Sequence, residues 1–208
     1  MLERLKQRTI VLASASPRRS ELVALAGIPY VIRPADIDED LADGGDVRTK
    51  IEALSRAKAA HVAQMLADDP ELSGAPVLGA DTSVVVDGRI FGKPVDEADA
   101  HRMLRELSGR AHEVITGVTI IDGDETVTFS EVTEVVFDEL SDADIDDYIA
   151  CGEPADKAGA YGIQGKGGLF VSGIRGDYSN VVGLPIHRVC RELARLNAKA
   201  GGELDDAL

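Results

Sequence analysis

The apolar residues of this chain fall into short runs and spaced stripes, and the two patterns alternate along it. Ile10-Val11-Leu12 is a short β-branched run of the kind a buried strand carries. It leads into Ser16-Pro17, a helix cap followed by proline at the first helical position, where a missing N–H loses no bond. Leu22, Leu25 and Ala26 supply the stripe of that helix, and Gly27 with Pro29 ends it. A second helix is predicted over 47–66 on the stripe Val47, Ile51, Leu54, Val62 and Met65. Lys58 interrupts that stripe. A lysine is seldom buried alone, so it must reach water, pair, or face a pocket.

Residues 77–80 form another short buried strand, and 82–86 and 89–91 flank Asp87-Gly88, a dipeptide that favours a two-residue type I′ hairpin. Helix follows over 97–107, with Ala100, Met103, Leu104 and Leu107 on one face. Two long strands, 113–121 and 126–137, are separated by Asp122-Gly123-Asp124. Ser141 caps a short helix reaching residue 150, the glycine-rich stretch 159–183 contains little helix, and Ile186, Val189, Leu193 and Leu196 define a last one. No repeat or linker interrupts the series. The pattern predicts one α/β domain over residues 1–200, with a mixed twisted sheet, flanking helices and two lobes around a cleft. Residues 201–208 read as an acidic tail that frays.

Composition narrows the partners. The chain has 208 residues, 44% of them hydrophobic, and a formal charge of −15. So large an acidic surplus argues against a nucleic-acid partner, which needs a basic face, and against an anionic membrane surface. Most of the carboxylates serve solubility. An anionic small molecule remains compatible if the few basic residues gather in one place. Cys151 and Cys190 lack metal-ligand spacing and are expected to be free thiols. The apolar run 10–13 is too short for a signal peptide or a membrane span, so the expected compartment is the cytoplasm.

Two constellations could carry chemistry. Ser14-Ala15-Ser16-Pro17-Arg18-Arg19 puts two arginines in a first helical turn, an end whose positive dipole favours acidic residues. The placement makes sense if an anion lies between the guanidinium forks and the helix start, with a small serine allowing close approach. Two solvated arginines beside a serine cap are the plainer alternative. The second constellation comes from hairpin register: with Asp87-Gly88 as the turn, Val86 faces Arg89, Val84 faces Phe91 and Thr82 faces Lys93. Asp81 then lies beside Lys93 at the end of the strand 77–80, where α/β sheets tend to place ligands. A carboxylate there can take a proton from water or hold Mg²⁺, and a lysine can neutralise charge on a phosphate. A structural ion pair explains the same two residues equally well.

Asp36, Asp38, Glu39 and Asp40 could supply a second metal ligand, although a solvated loop describes most of them. In the run 156–165, Tyr161 and Gln164 are candidate base contacts, since glutamine offers both a donor and an acceptor to a pyrimidine edge. His61, His101, His112 and His187 share no metal-like spacing.

Several stretches together resemble the Maf family of nucleoside triphosphate pyrophosphatases, also called septum-formation inhibitors. They are Leu12-Ala13-Ser14-Ala15-Ser16-Pro17-Arg18-Arg19, Gly79-Ala80-Asp81-Thr82, Gly92-Lys93-Pro94, Leu107-Ser108-Gly109, and the run from Asp156-Lys157-Ala158-Gly159-Ala160 through Tyr161-Gly162-Ile163-Gln164-Gly165. Asp177-Tyr178 and Gly183-Leu184-Pro185 follow in the same order. The resemblance implies hydrolysis of a nucleoside triphosphate to monophosphate and pyrophosphate with a divalent metal (Mg, Mn or Co). It also implies a two-lobed fold similar to inosine triphosphate pyrophosphatases, and a homodimer. By position, Asp81 matches the general base and a metal ligand, with Lys93 beside it in the catalytic pair. Ser14, Arg19, Lys58 and Lys93 match the phosphate-handling set, and Arg18, Thr82 and Gln164 match positions tied to substrate choice. Glu39 matches an acidic position near the metal, with Asp38 as the neighbouring option. The Tyr-Gly-Ile-Gln form resembles the branch acting on dTTP and UTP, extending to modified pyrimidines such as 5-methyl-UTP or pseudo-UTP. The branch acting on 7-methyl-GTP has glutamate in place of Gln164. The same chemistry on another nucleotide such as 7-methyl-GTP or inosine triphosphate, or a nucleotide-binding regulator of septum formation with a cell-division partner, are the alternatives.

Overall fold

Period-two alternation in one long strand decides how the helices are arranged. In the computed structural model, which describes residues 1–37 and 46–201, the chain builds a seven-stranded mixed sheet. In chain order the elements are α1 (Leu2–Leu5), β1 (Ile10–Leu12), α2 (Pro17–Leu25), β2 (Tyr30–Ile32), α3 (Val47–Met65), β3 (Val77–Val86) and β4 (Arg89–Phe91). Then come α4 (Glu97–Leu107), β5 (Ala111–Asp122), β6 (Glu125–Phe137), α5 (Asp142–Ala150), β7 (Val171–Arg175), α6 (Tyr178–Val182) and α7 (Ile186–Ala200). The strand order is β2-β1-β3-β5-β6-β7, with β4 also on β3. β1 runs parallel to both β2 and β3, and the remaining pairings are antiparallel.

Along β3, Leu78 and Ala80 enter a core with Leu22 and Val23 of α2 and Val189 and Leu193 of α7. Val77 joins Ala59 and Val62 of α3 in another. Successive strand residues point to opposite faces, so α2 and α7 cover one face and α3 the other. A third core, around Val84, Val86, Phe137, Leu104 and Tyr148, lies under α4 and α5 and forms the second lobe. Each fully buried Leu or Ile in these cores contributes about 2 kcal/mol.

The helix α3 differs from its predicted stripe. Its buried residues are Ile51, Ser55, Ala59 and Val62, while Met65 is exposed. Small side chains are needed because the helix nearly touches the sheet: a Cβ on Gly79 would lie 2.5 Å from the Ser55 carbonyl oxygen, and one on Gly117 would lie 2.7 Å from that of Ile51. The apolar pattern suggested a conventional ridge, but two strand glycines let a Ser/Ala face approach. Lys58, next to Ala59, is thereby held close over β3.

The predicted break at Asp81 is absent. Residues 77–86 form one strand, and Asp81 pairs with Gly117 in its middle rather than standing at an end. A charged residue is tolerated there because Lys58 meets it. The helices α3, α4, α5 and α7 fall close to the predicted positions, and the two long strands expected are β5 and β6, which pair antiparallel. The pattern missed α1, β2, β7 and α6, each of five residues or fewer and too short for a periodic signal. Cys151 and Cys190 are free thiols, as expected. Residues 202–208, most of the predicted tail, lie outside the described residues.

One property of β3 positions the site. One edge pairs with β5 from Val77 to Val85. The other edge is shared: β1 takes Val77 and Leu78, and β4 takes Val84 to Val86. Residues 79–83 therefore have no strand partner on that side among the described residues. β1 runs toward this gap and leads into Ala13 and Ser14, while antiparallel β4 approaches from the other direction and leads into Gly92 and Lys93.

Candidate active site

The gap opens into a cleft of about 1080 Å³, which both lobes line. Because it breaks the sheet edge, the cleft reaches both faces of β3, and neighbouring residues supply it from opposite sides. Asp81 projects toward α3, where its Oδ1 accepts a 2.7 Å hydrogen bond from Lys58 Nζ. Each side chain of this ion pair is only 12% exposed. Such burial strengthens a pair electrostatically but also strips water from it, so removing one partner leaves an uncompensated charge. Asp81 Oδ2 accepts no hydrogen bond from the described residues, and Asp81 lines the cleft.

Thr82 projects to the α2 face and helps fix Arg19. The guanidinium donates from Nε to the Gly183 carbonyl at 2.8 Å, from one Nη to Ser14 Oγ at 3.1 Å and from the other to Thr82 Oγ1 at 2.9 Å. Thr82 Oγ1 also lies 2.9 Å from Thr116 Oγ1, which donates to the Asn180 carbonyl at 3.2 Å. The direction of this chain follows from its ends. Arginine only donates, so Thr82 accepts from it and sends its own proton toward Thr116 or the Gly183 carbonyl. Thr82 thus orients Arg19. Ser16 is the N-cap of α2, as predicted, but its side chain makes no capping bond; Ser14 Oγ instead accepts from the Ser16 N–H. The first N–H groups of α2 keep the orphan character that suits an anion.

On the far wall, Arg18 reaches Asp156 at 3.7 Å, and Lys157 donates to the same carboxylate at 2.6 Å. The Lys157 hydrogen bond, assisted by the nearby Arg18 charge, holds the Asp156 carboxyl below its ordinary range. Gln164 is exposed and lines the cleft. Tyr161 does not serve as a base contact through its hydroxyl. That group is 2.8 Å from His112 Nε2, and burial raises its pKa and keeps it neutral. His112 itself is buried, with its pKa lowered to about 4, chiefly by desolvation and secondarily by Arg110.

Ser14, Arg18, Arg19, Lys58, Asp81, Thr82, Lys93 and Gln164 all line this one cleft. The hairpin argument had the right neighbourhood and the wrong partner. β3–β4 pairing matches the predicted register at Val84–Phe91 and Val86–Arg89 but stops there, so Thr82 does not face Lys93. Lys93 lines the cleft without a hydrogen bond or ion pair to the described residues, and Lys58 is the lysine on Asp81. Sequence reasoning missed Lys50, which also comes from α3 and lines the cleft. It also missed Thr116 and the Gly183 carbonyl. Nothing in a hydroxyl within an apolar strand marks it as Arg19's support.

Among the described residues, no three His, Cys, Asp or Glu side chains cluster as a ready-made metal site. The Asp81 carboxylate, which lines the cleft, still suits Mg²⁺, which commonly takes one or two carboxylates and completes its shell with water and substrate phosphates. Glu39 and Asp38, the other expected ligands, lie outside the described residues. No described helix is long and apolar enough to cross a membrane.

Known proteins resemble the chain over most of its length. The family model described as Maf-like protein matches residues 9–196. A protein from Bacillus cereus named dTTP/UTP pyrophosphatase is 52% identical over 190 residues, covering 91% of this chain and 96% of its own. One of the same name from Bacillus anthracis is 50% identical with the same coverage. Among solved structures, the Staphylococcus aureus Ham1 protein overlaps 62% of this chain and 72% of its own at TM-score 0.44 and 17% identity.

Proposed function

The chain belongs to the Maf family, and from that premise we propose that it hydrolyses dTTP and UTP to the monophosphate and pyrophosphate. The observation that carries the reading is the Lys58–Asp81 pair at the sheet gap, with one carboxylate oxygen held by Lys58 and the residue lining the cleft. Arg19, Lys58 and Lys93 gather there in a chain whose net charge is −15, which suits a polyanionic substrate. Relatives about half identical over nearly their full length bear the dTTP/UTP name.

In this reading the Asp81 carboxylate takes a proton from water as the water oxygen bonds to the α-phosphorus. The bond from that phosphorus to the bridging oxygen of the β-phosphate breaks, and pyrophosphate leaves with the electron pair. Lys58 fixes the carboxylate, while Arg19, Lys93 and the start of α2 neutralise charge on the phosphates. A divalent cation held by Asp81 and substrate oxygens would supply further neutralisation. Gln164 offers the base a donor and an acceptor, which matches the N3–H and a carbonyl of uracil or thymine.

The test is a panel of dTTP, UTP, CTP, GTP and ITP with Mg²⁺, scored for pyrophosphate against orthophosphate. Pyrophosphate release led by dTTP and UTP is expected. Orthophosphate as the first product, or preference for ITP, contradicts the reading.

A further inference from the structure

The loop carrying Gln164 is wrapped around a single carboxylate that plays no part in the reaction just described. Glu153 follows α5, lies beneath this loop and is itself among the residues lining the cleft. Its Oε2 accepts the Lys166 N–H at 2.9 Å, and its Oε1 accepts the Gly167 N–H at 3.3 Å. Oε1 also accepts the Tyr148 hydroxyl at 2.9 Å, and that hydroxyl in turn accepts the Gly162 N–H at 3.1 Å. Backbone groups on both sides of Gln164 thus end on one carboxylate–phenol pair. The glycines fit it closely. A Cβ on Gly165 would run into both carboxylate oxygens, one on Gly167 would come within 2.6 Å of the Tyr148 hydroxyl, and one on Gly162 within 2.5 Å of Lys157 Cε.

The chemistry of the pair suits an anchor. Burial raises the Glu153 pKa, but the amides of Lys166 and Gly167 and the Tyr148 hydroxyl outweigh it and hold the carboxyl below its ordinary range. Tyr148 is 3% exposed, and its ring meets Phe170 edge-on at 5.0 Å, so the phenol cannot follow a moving loop. Gln164 is exposed and has no hydrogen bond of its own to the described residues. A flexible amide of this kind discriminates between bases only if its backbone is fixed, because it can otherwise shift to meet a different edge.

We propose that Glu153 and Tyr148 are positioning residues for base selection, setting Gln164 through the amides of Gly162, Lys166 and Gly167 rather than by touching the nucleotide. This rests on Gln164 reading the base, as argued above. A purely local structural role would lower stability without changing which base is preferred. A charge acting directly in the cleft would be sensitive to Glu153→Gln but not to Tyr148→Phe, which keeps the carboxylate and the packed ring.

The experiment measures kcat/KM for dTTP, CTP and GTP in the full-length wild type, Glu153→Gln and Tyr148→Phe, together with amide hydrogen exchange. In both variants the dTTP preference should fall by roughly tenfold or more, the scale of losing a hydrogen bond to a charged group. Amide exchange should quicken at Lys166 and Gly167 in Glu153→Gln and at Gly162 in Tyr148→Phe. Retained preference in Tyr148→Phe overturns the proposal, and so does unchanged exchange in either variant. If the wild type itself hydrolyses none of these nucleotides, the reading of function fails instead, a result distinct from a selective wild type with equally selective variants.

Discussion

Gly79→Ala should damage catalysis without altering any residue that meets the substrate. The added methyl would sit 2.5 Å from the Ser55 carbonyl oxygen, 2.7 Å from the Ala59 nitrogen and 2.9 Å from the Ala59 Cβ. Two of these are backbone atoms of α3, so no side chain can rotate away. Reaching the 3.4 Å of ordinary contact requires the helix to retreat by about 0.9 Å. Lys58 adjoins Ala59, and its 2.7 Å bond to Asp81 moves with the helix. Overpacking of this kind costs about 2 kcal/mol, which lowers Tm by roughly 4–8 °C in a chain of this size. A displacement near 1 Å at a reacting group can lower the rate on the order of 100-fold. Thermal unfolding and kcat/KM for pyrophosphate release measure the two effects. Gly123→Ala is the control: Gly123 lies in the β5–β6 turn at φ +57° with no neighbour within 4 Å of an added Cβ. It should lose about 1 kcal/mol of stability with kcat/KM within roughly twofold of wild type. If Gly79→Ala matches wild type in both Tm and kcat/KM, the close seat of α3 is not what aligns Lys58 with Asp81.

Two other perturbations probe the site's supports. Thr116→Val removes the hydroxyl between Thr82 and the Asn180 carbonyl, which keeps only the Gly183 N–H, and leaves Arg19 less well held; KM for the triphosphate should rise by roughly tenfold, whereas an unchanged KM would show that Arg19 needs no such support. His112, with its pKa lowered from 6.5 to about 4, leaves the folded state with fewer protons than the unfolded chain between those values. Its contribution is therefore full above about pH 6.5, weakens as pH falls through the window and is lost below about pH 4, a total of about 3 kcal/mol. Urea unfolding at pH 7 and pH 5 should show a smaller pH dependence in His112→Phe than in the wild type, and equal dependence would contradict the assignment.

How much of this was legible beforehand follows the range of each interaction. The helices α3, α4 and α7 announce themselves through periodicity, and Ser141 with Asp144 forms a capping box readable as four consecutive letters. The cleft residues were found one motif at a time, and the fold brings them together. Their contacts were less accessible. Asp81 looked like a strand terminus because a lone carboxylate rarely sits within a strand, and the lysine that makes it tolerable is 23 residues earlier. The gap on β3 was invisible for a related reason. It depends on where β1 and β4 stop, and neither a strand's length nor its choice of edge is encoded locally. The engagement of the Tyr161 hydroxyl was hidden because its motif position said nothing of His112, which closes it off.

The central claim is that Asp81 drives water onto the α-phosphorus. Hydrolysis of dTTP in ¹⁸O-labelled water, with both products analysed by mass, tests it most directly. The account predicts one labelled oxygen in the monophosphate, none in pyrophosphate, and loss of turnover in Asp81→Asn while nucleotide still binds. Label in the pyrophosphate, or near-wild-type turnover by Asp81→Asn, would contradict it.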